Sequence, residues 1–426
     1  MNRFFIKVFL LVFFSLLLSS CTPYTGSKGT LFDLIPEEKE IQLGKLYTYS
    51  SIDEYEGLYP EKEVQNYVSF IGYKLTKVVF RKNLPYRFYV VNSGVINSFA
   101  LPGGPVIITR GLLLQLDNES QLACVLGHEL AHINARHHVK FLEKELALSL
   151  ILQIGSIFLP KDLSGEALFK LGQISATLLT LKFSRNQERE ADRYGIFFAY
   201  KAGYSPEGII KIFKKFKKLE KYRPPEWLST HPLPETRIKE AKKYIALLKP
   251  SGVLIKDTAE FHKIKKLLLQ TKSSYDYVEK GKKAYKNLDY KKAEFYFKKA
   301  TELYSKNTVA YVYLTSIKLK EKKFKDAQKY INKALIYDPN FFSANILAGI
   351  TYFKLKKFDD SLKFFEKAKE LVPFNGISYY YIGRIYEKEE KYQLALKNYK
   401  KALEIGPKNA SWYRDCYYRY NKLKEE

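Results

Sequence analysis

Apolar residues recur with helical spacing along most of the chain, and only three short runs break this pattern. The runs at 86–92, 95–101 and 105–109 are short and apolar, and Pro102-Gly103-Gly104 joins the last two, so strands are predicted there. The pattern therefore predicts a mostly α chain of α+β class with one small sheet. In residues 61–82, for example, the apolar positions share one face of a helix: Val64, Tyr67, Val68, Ile71 and Leu75.

The C-terminal part of the chain repeats itself every 34 residues from about residue 274. Ala300, Ala334, Ala368 and Ala402 keep this interval, and an aromatic residue also recurs in each unit. The period, the small residues at helix crossings and the aromatic fillers resemble the tetratricopeptide repeat, an α-solenoid of helix pairs. Four units are predicted, followed by a capping helix at 410–426 and preceded by a linker at 246–273: 274–307, 308–341, 342–375 and 376–409.

The N-terminus is predicted to be an export signal over residues 1–20. A positive start precedes an apolar core, which is too short for a comfortable membrane span. Leu18-Ser19-Ser20-Cys21 resembles a bacterial lipoprotein signal, so Cys21 is expected to be lipidated, with residues 21–60 forming a tether and an N-terminal helix. The residue after the cysteine is Thr22 and not Asp, which under this resemblance implies the outer membrane. An uncleaved anchor and an ordinary cleaved signal remain the alternatives.

Composition narrows the functional classes. Lysine and arginine number 72 against 45 acidic residues, a formal charge of +27. Because an exported protein meets no nucleic acid, this charge does not predict a nucleic-acid partner; a solvated lysine-rich surface is favoured, and anionic membranes or acidic partners are the alternatives. Three cysteines exclude a disulfide-stapled scaffold and a cysteine zinc ribbon.

Candidate chemistry is concentrated in one short segment. Four of the six histidines fall between His128 and His138, and Gly127–His132 has the pattern HExxH. His128 and His132 lie four positions apart on a predicted helix, so both rings can hold one Zn²⁺, and Glu129 can take a proton from water there. A solvated histidine-rich helix is the alternative. His137 and His138 are expected to be solvated at the end of this helix.

A catalytic zinc needs a third protein ligand, and the predicted one is Glu188. Glu188 and Asp192 are four apart on the next long helix, so they share a face. Asp192 is expected to accept the ring N–H of a ligand histidine and thereby fix its orientation. Glu190 is the competing ligand, but it points elsewhere if Glu188 and Asp192 face the metal.

HExxH followed by ExxxD, together with NSFALPGG at 97–104, resembles the gluzincin-type zinc peptidases of the HtpX and CAAX-prenyl-protease family. This resemblance implies a metallopeptidase domain over 61–245 with one Zn²⁺ on His128, His132 and Glu188, and Glu129 as general base. It also implies that an extended substrate pairs with an exposed strand. That strand comprises Asn97, Ser98, Phe99, Ala100 and Leu101.

His231 and Arg237 form a second candidate group, in a Thr-His-Pro loop that is typical of the same family. His231 could stabilise the oxyanion of the reaction, or it could occupy the open metal position as a latch, which the resemblance favours over a plain loop histidine. Arg237 is expected to orient the loop or to bind substrate carbonyls, with a surface ion pair as the alternative. Apolar helices predicted at 141–159 and 165–183 are expected to cover the cleft.

Two functions remain open for the whole chain. The first is a periplasmic, lipid-anchored zinc endopeptidase at the outer membrane. It would degrade unfolded or misassembled outer-membrane proteins, with the repeats recruiting substrate or the assembly machinery. The second is a mostly latent protease that acts as a chaperone or scaffold for outer-membrane assembly. Glu129 favours the enzyme, because a scaffold has no need of a carboxylate there.

Overall fold

The computed structural model describes residues 35–150, 173–174, 177–178, 180–220, 225–232 and 235–425. The predicted signal, Cys21 and most of the two apolar helices predicted after residue 141 lie outside these residues. In the described part of the chain, no helix combines the length and the apolarity that a membrane crossing requires.

The N-terminal half combines helices with a single three-stranded sheet. Strand order is β1-β3-β2; β1 runs parallel to β3 and β2 runs antiparallel to it, with Tyr89 and Phe99 both opposite Ile107. The predicted strands are confirmed, although β2 is shorter than expected. The elements are α1 Glu37–Glu54, α2 Lys62–Thr76, β1 Arg87–Val91, β2 Ser98–Ala100, β3 Pro105–Thr109, α3 Arg110–Gln115, α4 Glu119–Asn134, α5 His137–Leu150, α6 Arg185–Lys201, α7 Gly208–Glu220, α8 Trp227–Thr230 and α9 Glu235–Leu248.

Helix α4 carries HExxH and lies at the centre of this half. Asn118 caps it, because its side chain accepts a hydrogen bond from the backbone N–H of Gln121, and every residue of the helix is buried. The helix ends at Asn134, four residues earlier than predicted. Arg136 takes a left-handed conformation with φ of 55°, which stops the helix and allows α5 to begin at His137.

The C-terminal half consists of helix pairs in the predicted register. Glycines stand at the helix crossing in three of the four pairs, and aromatic rings fill the space beside them: a Cβ added to Gly349 would lie within 3 Å of the Phe365 ring. The pairs and the final helix are α10 Ala259–Lys286 with α11 Tyr290–Leu303, α12 Thr308–Lys320 with α13 Phe324–Tyr337, α14 Phe342–Lys354 with α15 Phe358–Leu371, α16 Gly376–Lys388 with α17 Tyr392–Ile405, and α18 Tyr413–Glu425.

The two halves are joined by a continuous core. Helix α10 begins at Ala259, so the second half of the predicted linker is helical and belongs to the first helix of the repeats. Polar contacts reinforce the junction: Asp338 accepts the backbone N–H of Leu58 at 2.7 Å, and Asp53 accepts both the backbone N–H and the hydroxyl of Ser343. The repeats, as far as their third helix pair, therefore pack directly on the N-terminal half.

Candidate metal centre

Close approach of α4 and α6 brings the two sequence motifs together. A Cβ added to Gly127 would lie 2.8 Å from the carbonyl oxygen of Gly195, so only glycine permits this distance between the helix backbones. A capping box at Ser184 starts α6 and fixes where its first turn begins. As a result, the first turns of α6 face His128 and His132 on α4.

Four buried side chains converge at this crossing: His128, His132, Glu188 and His231. The Nε2 atoms of His128 and His132 lie 3.1 Å apart. His231 Nδ1 lies 3.3 Å from His128 Nε2 and 2.9 Å from Glu188 Oε1. Glu188 Oε1 is also 3.5 Å from His132 Nε2. Sequence spacing predicted the first three of these residues as ligands and left two roles open for His231.

The donor set fits a small divalent cation. A tetrahedral ion with ligands at about 2.0–2.1 Å has donor atoms about 3.4 Å apart. Four of the separations between donor atoms are 2.9, 3.1, 3.3 and 3.5 Å, and all four donor atoms lie within 4.8 Å of one another. Three imidazoles and one carboxylate suit zinc among the common metals. All four residues are almost fully buried, so each donor atom needs either a cation or a hydrogen-bond partner.

Burial and neighbouring charges shift the protonation of these groups. Burial, and then the adjacent histidines, lower the pKa of His132 well below its ordinary value. Burial would raise the pKa of Glu188, but His231 and Arg237 outweigh it and lower that pKa. His132 thus favours the unprotonated imidazole and Glu188 the carboxylate, which are the forms that bind a metal. Burial would lower the pKa of His231, but Glu188 and Glu129 outweigh it and raise that pKa.

Asp192 lies beside the site, where the sequence predicted it. Its Oδ1 atom is 3.1 Å from His128 Nδ1, on the side of the ring away from the other donors. Arg237 holds the same carboxylate with two hydrogen bonds of 2.7 Å. Burial would raise the pKa of Asp192, but Arg237 and His128 outweigh it and lower that pKa. Asp192 is therefore placed to orient the ring of His128.

Arg237 also ties the carboxylates to the His231 loop. Its guanidinium lies 2.7 Å from Glu188 Oε2 and donates to the backbone carbonyls of His231 and Pro232. Only 2% of its side chain is exposed, so the alternative of a surface ion pair is wrong. The expectation that Arg237 orients the loop agrees with these contacts.

Glu129 faces the metal site and is held by two residues that the sequence did not assign to it. Ser98 donates its hydroxyl to Glu129 Oε1 at 2.7 Å, and the indole N–H of Trp227 donates to the same oxygen at 3.3 Å. His231 Nε2 lies 4.0 Å from that oxygen. Ser98 and Trp227 are 31 and 98 residues away in sequence, so no local pattern could have indicated them.

The segment that carries His231 is anchored on several sides. The His231 ring stacks on Trp227, with centroids 4.7 Å apart and planes 21° apart. The backbone N–H of Trp227 donates to the carbonyl of Ile96. Glu226 accepts hydrogen bonds from the hydroxyl of Tyr55 and from the side-chain amide of Asn97. These contacts position His231 at the fourth corner of the donor set.

The prediction that His137 and His138 are solvated is wrong. Both side chains are buried, with 0% and 4% exposure. The left-handed turn at Arg136 folds the chain back, so that His137 lies beside His132 and not beyond the end of the helix. Burial lowers the pKa of His138 to about 3, so this ring is neutral.

The strand proposed to pair with substrate lies at the sheet edge but is not exposed. Ser98 to Ala100 form β2, whose sheet partner is β3, and every residue from Asn97 to Leu101 is at least 92% buried. Phe99 and Leu101 belong to an apolar cluster with Leu142 of α5 and with Leu178, in the region where the covering helices were expected. An extended substrate would therefore have to displace part of this cover to reach β2.

Comparison with known proteins places this site in a family. The Peptidase family M48 profile matches residues 62–245, and a tetratricopeptide repeat profile matches residues 342–408. The "Beta-barrel assembly-enhancing protease" of Yersinia pestis is 34% identical over 194 residues, which cover 43% of this chain and 39% of that protein. Its counterpart in Escherichia coli (strain K12) is 30% identical over 234 residues, covering 53% and 47% of the two chains.

A mitochondrial protein is also similar to this chain. The "Mitochondrial metalloendopeptidase OMA1" of Arabidopsis thaliana is 32% identical over 158 residues, which cover 37% of this chain and 31% of that protein. The chain thus spans less than half the length of each of these relatives. The resemblance drawn from HExxH, ExxxD and the 34-residue period is confirmed: the chain carries a metallopeptidase domain of Peptidase family M48, followed by tetratricopeptide repeats.

Proposed function

We propose that the chain is a zinc-dependent endopeptidase with one Zn²⁺ held by His128, His132 and Glu188. Zinc in this position would polarise the scissile carbonyl and make water a stronger acid. Glu129 takes the proton from the attacking water and returns it to the leaving amine. Ser98 and Trp227 support this role, because their hydrogen bonds hold the carboxylate on the side of the donors.

The observation that carries this proposal is the joint placement of donors and base. Three metal-binding side chains and the Glu129 carboxylate lie in one buried cluster that comes from two helices, and Ser98 of a strand holds the carboxylate. A purely structural metal site does not require a carboxylate that lies beside the ligands without being one of them. An enzyme that activates water requires one.

Digestion of an unfolded protein tests the enzyme directly. The purified chain is incubated with casein, beside Glu129→Gln, which keeps the shape of the side chain but removes the base. Cleavage by the wild type, with a loss of about 10²–10⁴-fold in the variant, is expected. Equal cleavage by both proteins would contradict the assignment of Glu129.

We further propose that His231 is a latch. Its Nδ1 atom lies 2.9 Å from Glu188 and 3.3 Å from His128, within the donor set, so it would take the position that a substrate or water needs. In the alternative role His231 donates to the oxyanion of the reaction. The placement of Nδ1 among the donors favours the latch. The two roles predict opposite effects of removing the ring.

His231→Ala separates these roles, and His262→Ala is the matched control. His262 lies on α10 with 57% of its side chain exposed, remote in sequence from the site. If His231 is a latch, its removal raises casein cleavage several-fold, whereas the control leaves cleavage unchanged. Lost or unchanged cleavage by His231→Ala would refute the latch.

The cellular role that we propose is quality control of outer-membrane proteins in the periplasm. The name of the bacterial relatives, the predicted lipoprotein signal with Cys21, and the repeats support this role. The repeats would recruit unfolded or misassembled substrate, or the assembly machinery. Cell fractionation of wild type and Cys21→Ala tests the anchor: the wild type should sediment with outer membranes and the variant should be soluble.

A latent protease that serves mainly as a chaperone or scaffold remains the second candidate. The buried state of β2 and the placement of His231 favour it, because both restrict access to the site. Under this alternative Glu129→Gln would still support outer-membrane protein assembly in cells that lack the wild-type protein. Under the protease proposal it would not.

A further inference from the structure

Helix α6 carries three acidic residues within five positions, namely Glu188, Glu190 and Asp192. Glu190 faces a histidine outside the donor set. Glu188 lies in the donor set and Asp192 faces His128. Glu190 lies between them in sequence, and its Oε2 atom is 3.3 Å from His137 Nε2. The His137 side chain has no exposed surface, whereas 34% of the Glu190 side chain is exposed. Glu190 is thus a partly exposed carboxylate that contacts a fully buried imidazole ring.

His137 in turn contacts a residue of the donor set. Its Nδ1 atom lies 2.9 Å from His132 Nδ1, and the two ring planes are inclined by 72°. The left-handed turn at Arg136 produces this contact by folding α5 back beside α4. The Nε2 atom of His132 therefore faces the other metal-binding residues, and its Nδ1 atom faces His137.

One arrangement of protons satisfies both hydrogen bonds in the series His132, His137 and Glu190. A histidine that presents Nε2 to a metal carries its proton on Nδ1. That N–H of His132 then donates to Nδ1 of His137, which must be unprotonated. The proton of His137 therefore lies on Nε2, where it donates to the carboxylate of Glu190. Each residue in the series fixes the tautomer of the one before it.

We propose that His137 and Glu190 are positioning residues that fix the orientation and tautomer of His132 for metal binding. This inference rests on the proposed metal site. Asp192 contacts His128 directly, whereas Glu190 acts on His132 through the ring of His137. A carboxylate behind a ligand histidine also increases its basicity, so both contacts strengthen the site.

His138 provides a matched control within the same helix. It is buried like its neighbour, but its ring centroid is 6.3 Å from that of His132 and no hydrogen bond between the two rings is described. Its ring packs edge-on against Phe183. Replacing it by phenylalanine changes the packing near His132 without touching the proposed series of bonds.

The experiment measures zinc affinity in the full chain, by competition with a chromophoric chelator. The variants are His137→Phe, His137→Asn, Glu190→Gln and His138→Phe. His137→Phe should lower zinc affinity by about 10–100-fold, the range typical for loss of such a contact. Asparagine places an acceptor near the former Nδ1 atom, so His137→Asn should recover most of the affinity. Glu190→Gln should lose less than His137→Phe, and His138→Phe should stay near the wild type.

Cobalt substitution gives a second readout that does not depend on activity. The visible absorption bands of Co²⁺ report ligand geometry, so they should shift in His137→Phe and return in His137→Asn. Thermal unfolding of the metal-free proteins shows whether each variant is folded. If His137→Phe does not fold, Glu190→Gln decides: loss of affinity supports the proposal, and wild-type affinity overturns it.

Two results would overturn the inference while leaving the metal site intact. The first is wild-type zinc affinity in folded His137→Phe. The second is an equal loss in His138→Phe, which would make the contact one of packing only. A wild-type chain that binds no zinc would instead overturn the proposed function, and with it this inference, so the two failures are distinguishable.

Discussion

The two halves of the molecule bury different kinds of polar groups. The M48 domain buries many ionisable side chains, most of them around the donor set, whereas the buried polar residues of the repeats are mainly serine, threonine and asparagine. A buried hydroxyl or amide needs one or two hydrogen bonds, but a buried charge needs a counter-charge or a metal. The M48 domain should therefore depend on specific partners, and the repeats on apolar packing.

The pattern of glycine and aromatic residues supports this contrast. In the repeats, glycines at helix crossings accept aromatic rings, as Gly281 accepts Phe297 and Gly383 accepts Tyr399. In the M48 domain, Gly127 faces the backbone at Gly195, and the gain is the alignment of α4 with α6. In the repeats the glycines make room for packed rings, and in the M48 domain Gly127 allows α4 and α6 to bring the metal-binding side chains together.

Metal removal is expected to have the largest effect, and in the M48 domain alone. A ligand present at 1,000 times its dissociation constant stabilises the folded state by about 4 kcal/mol, which a chelator would remove. Hydrogen exchange followed by mass spectrometry, with and without chelator, measures this along the chain. Faster exchange should appear in α4 and α6, and little change in α14 to α17. Equal changes in both halves would break the comparison.

Replacing Arg237 by leucine should destabilise the M48 domain by about 3–5 kcal/mol, because it leaves Asp192 and Glu188 buried without their counter-charge. Urea unfolding measures the loss. Arg189→Leu is the control: its ion pair with Glu240 is exposed, with 43% and 46% of the side chains accessible, so it should cost about 0–1 kcal/mol. Similar costs for both variants would show that the buried pairs are not special.

Phe365→Ala is the corresponding test in the repeats. The ring is fully buried and fills the space beside Gly349, so its removal should cost about 3 kcal/mol through the cavity that it leaves. Zinc affinity should remain that of the wild type, because no donor lies in this half. Calorimetry and the chelator competition measure the two quantities. Loss of zinc affinity in this variant would show that metal binding depends on the packing of the repeats.

Tyr55→Phe should have the smallest effect, at the junction between the halves. The Tyr55 hydroxyl bonds Glu226, which precedes the helix that leads to His231, and Asp53 two residues earlier bonds Ser343 of the repeats. Phenylalanine removes both hydrogen bonds of this hydroxyl, one donated to Glu226 and one accepted from the amide of Asn97. At about 1 kcal/mol each, the loss corresponds to a shift of about thirty-fold toward an open loop. Casein cleavage should therefore rise by up to that factor. Decreased cleavage would contradict an anchoring role for Tyr55.

The sequence predicted the helix faces, the repeat register and the strands, because each depends on the spacing of residues that are close in the sequence. The i, i+4 pairs His128/His132 and Glu188/Asp192 lie on the expected helix faces, and the 34-residue period matches the helix pairs. The strands near residues 87, 98 and 105 were also predicted, because short apolar runs bounded by turn residues are a local signal.

The remaining features depend on contacts between distant residues. Ser98 and Trp227 reach Glu129 only after the sheet and helix α8 have packed on α4. The burial of His137 depends on the left-handed Arg136, a conformation that arginine rarely adopts and that nothing in the sequence signals. Likewise, β2 is covered by residues of another segment, so its position at the sheet edge did not make it accessible.

The most direct test of the account is the metal content of the purified full chain, measured by elemental analysis after exposure to excess zinc and gel filtration. The wild type should retain one zinc per chain, and Glu188→Gln should retain far less under the same conditions. Arg189→Leu, on the same helix but outside the site, should retain the wild-type amount. A wild-type chain without zinc, or a Glu188→Gln variant that holds it as tightly, would contradict the claim that this buried cluster is a metal centre.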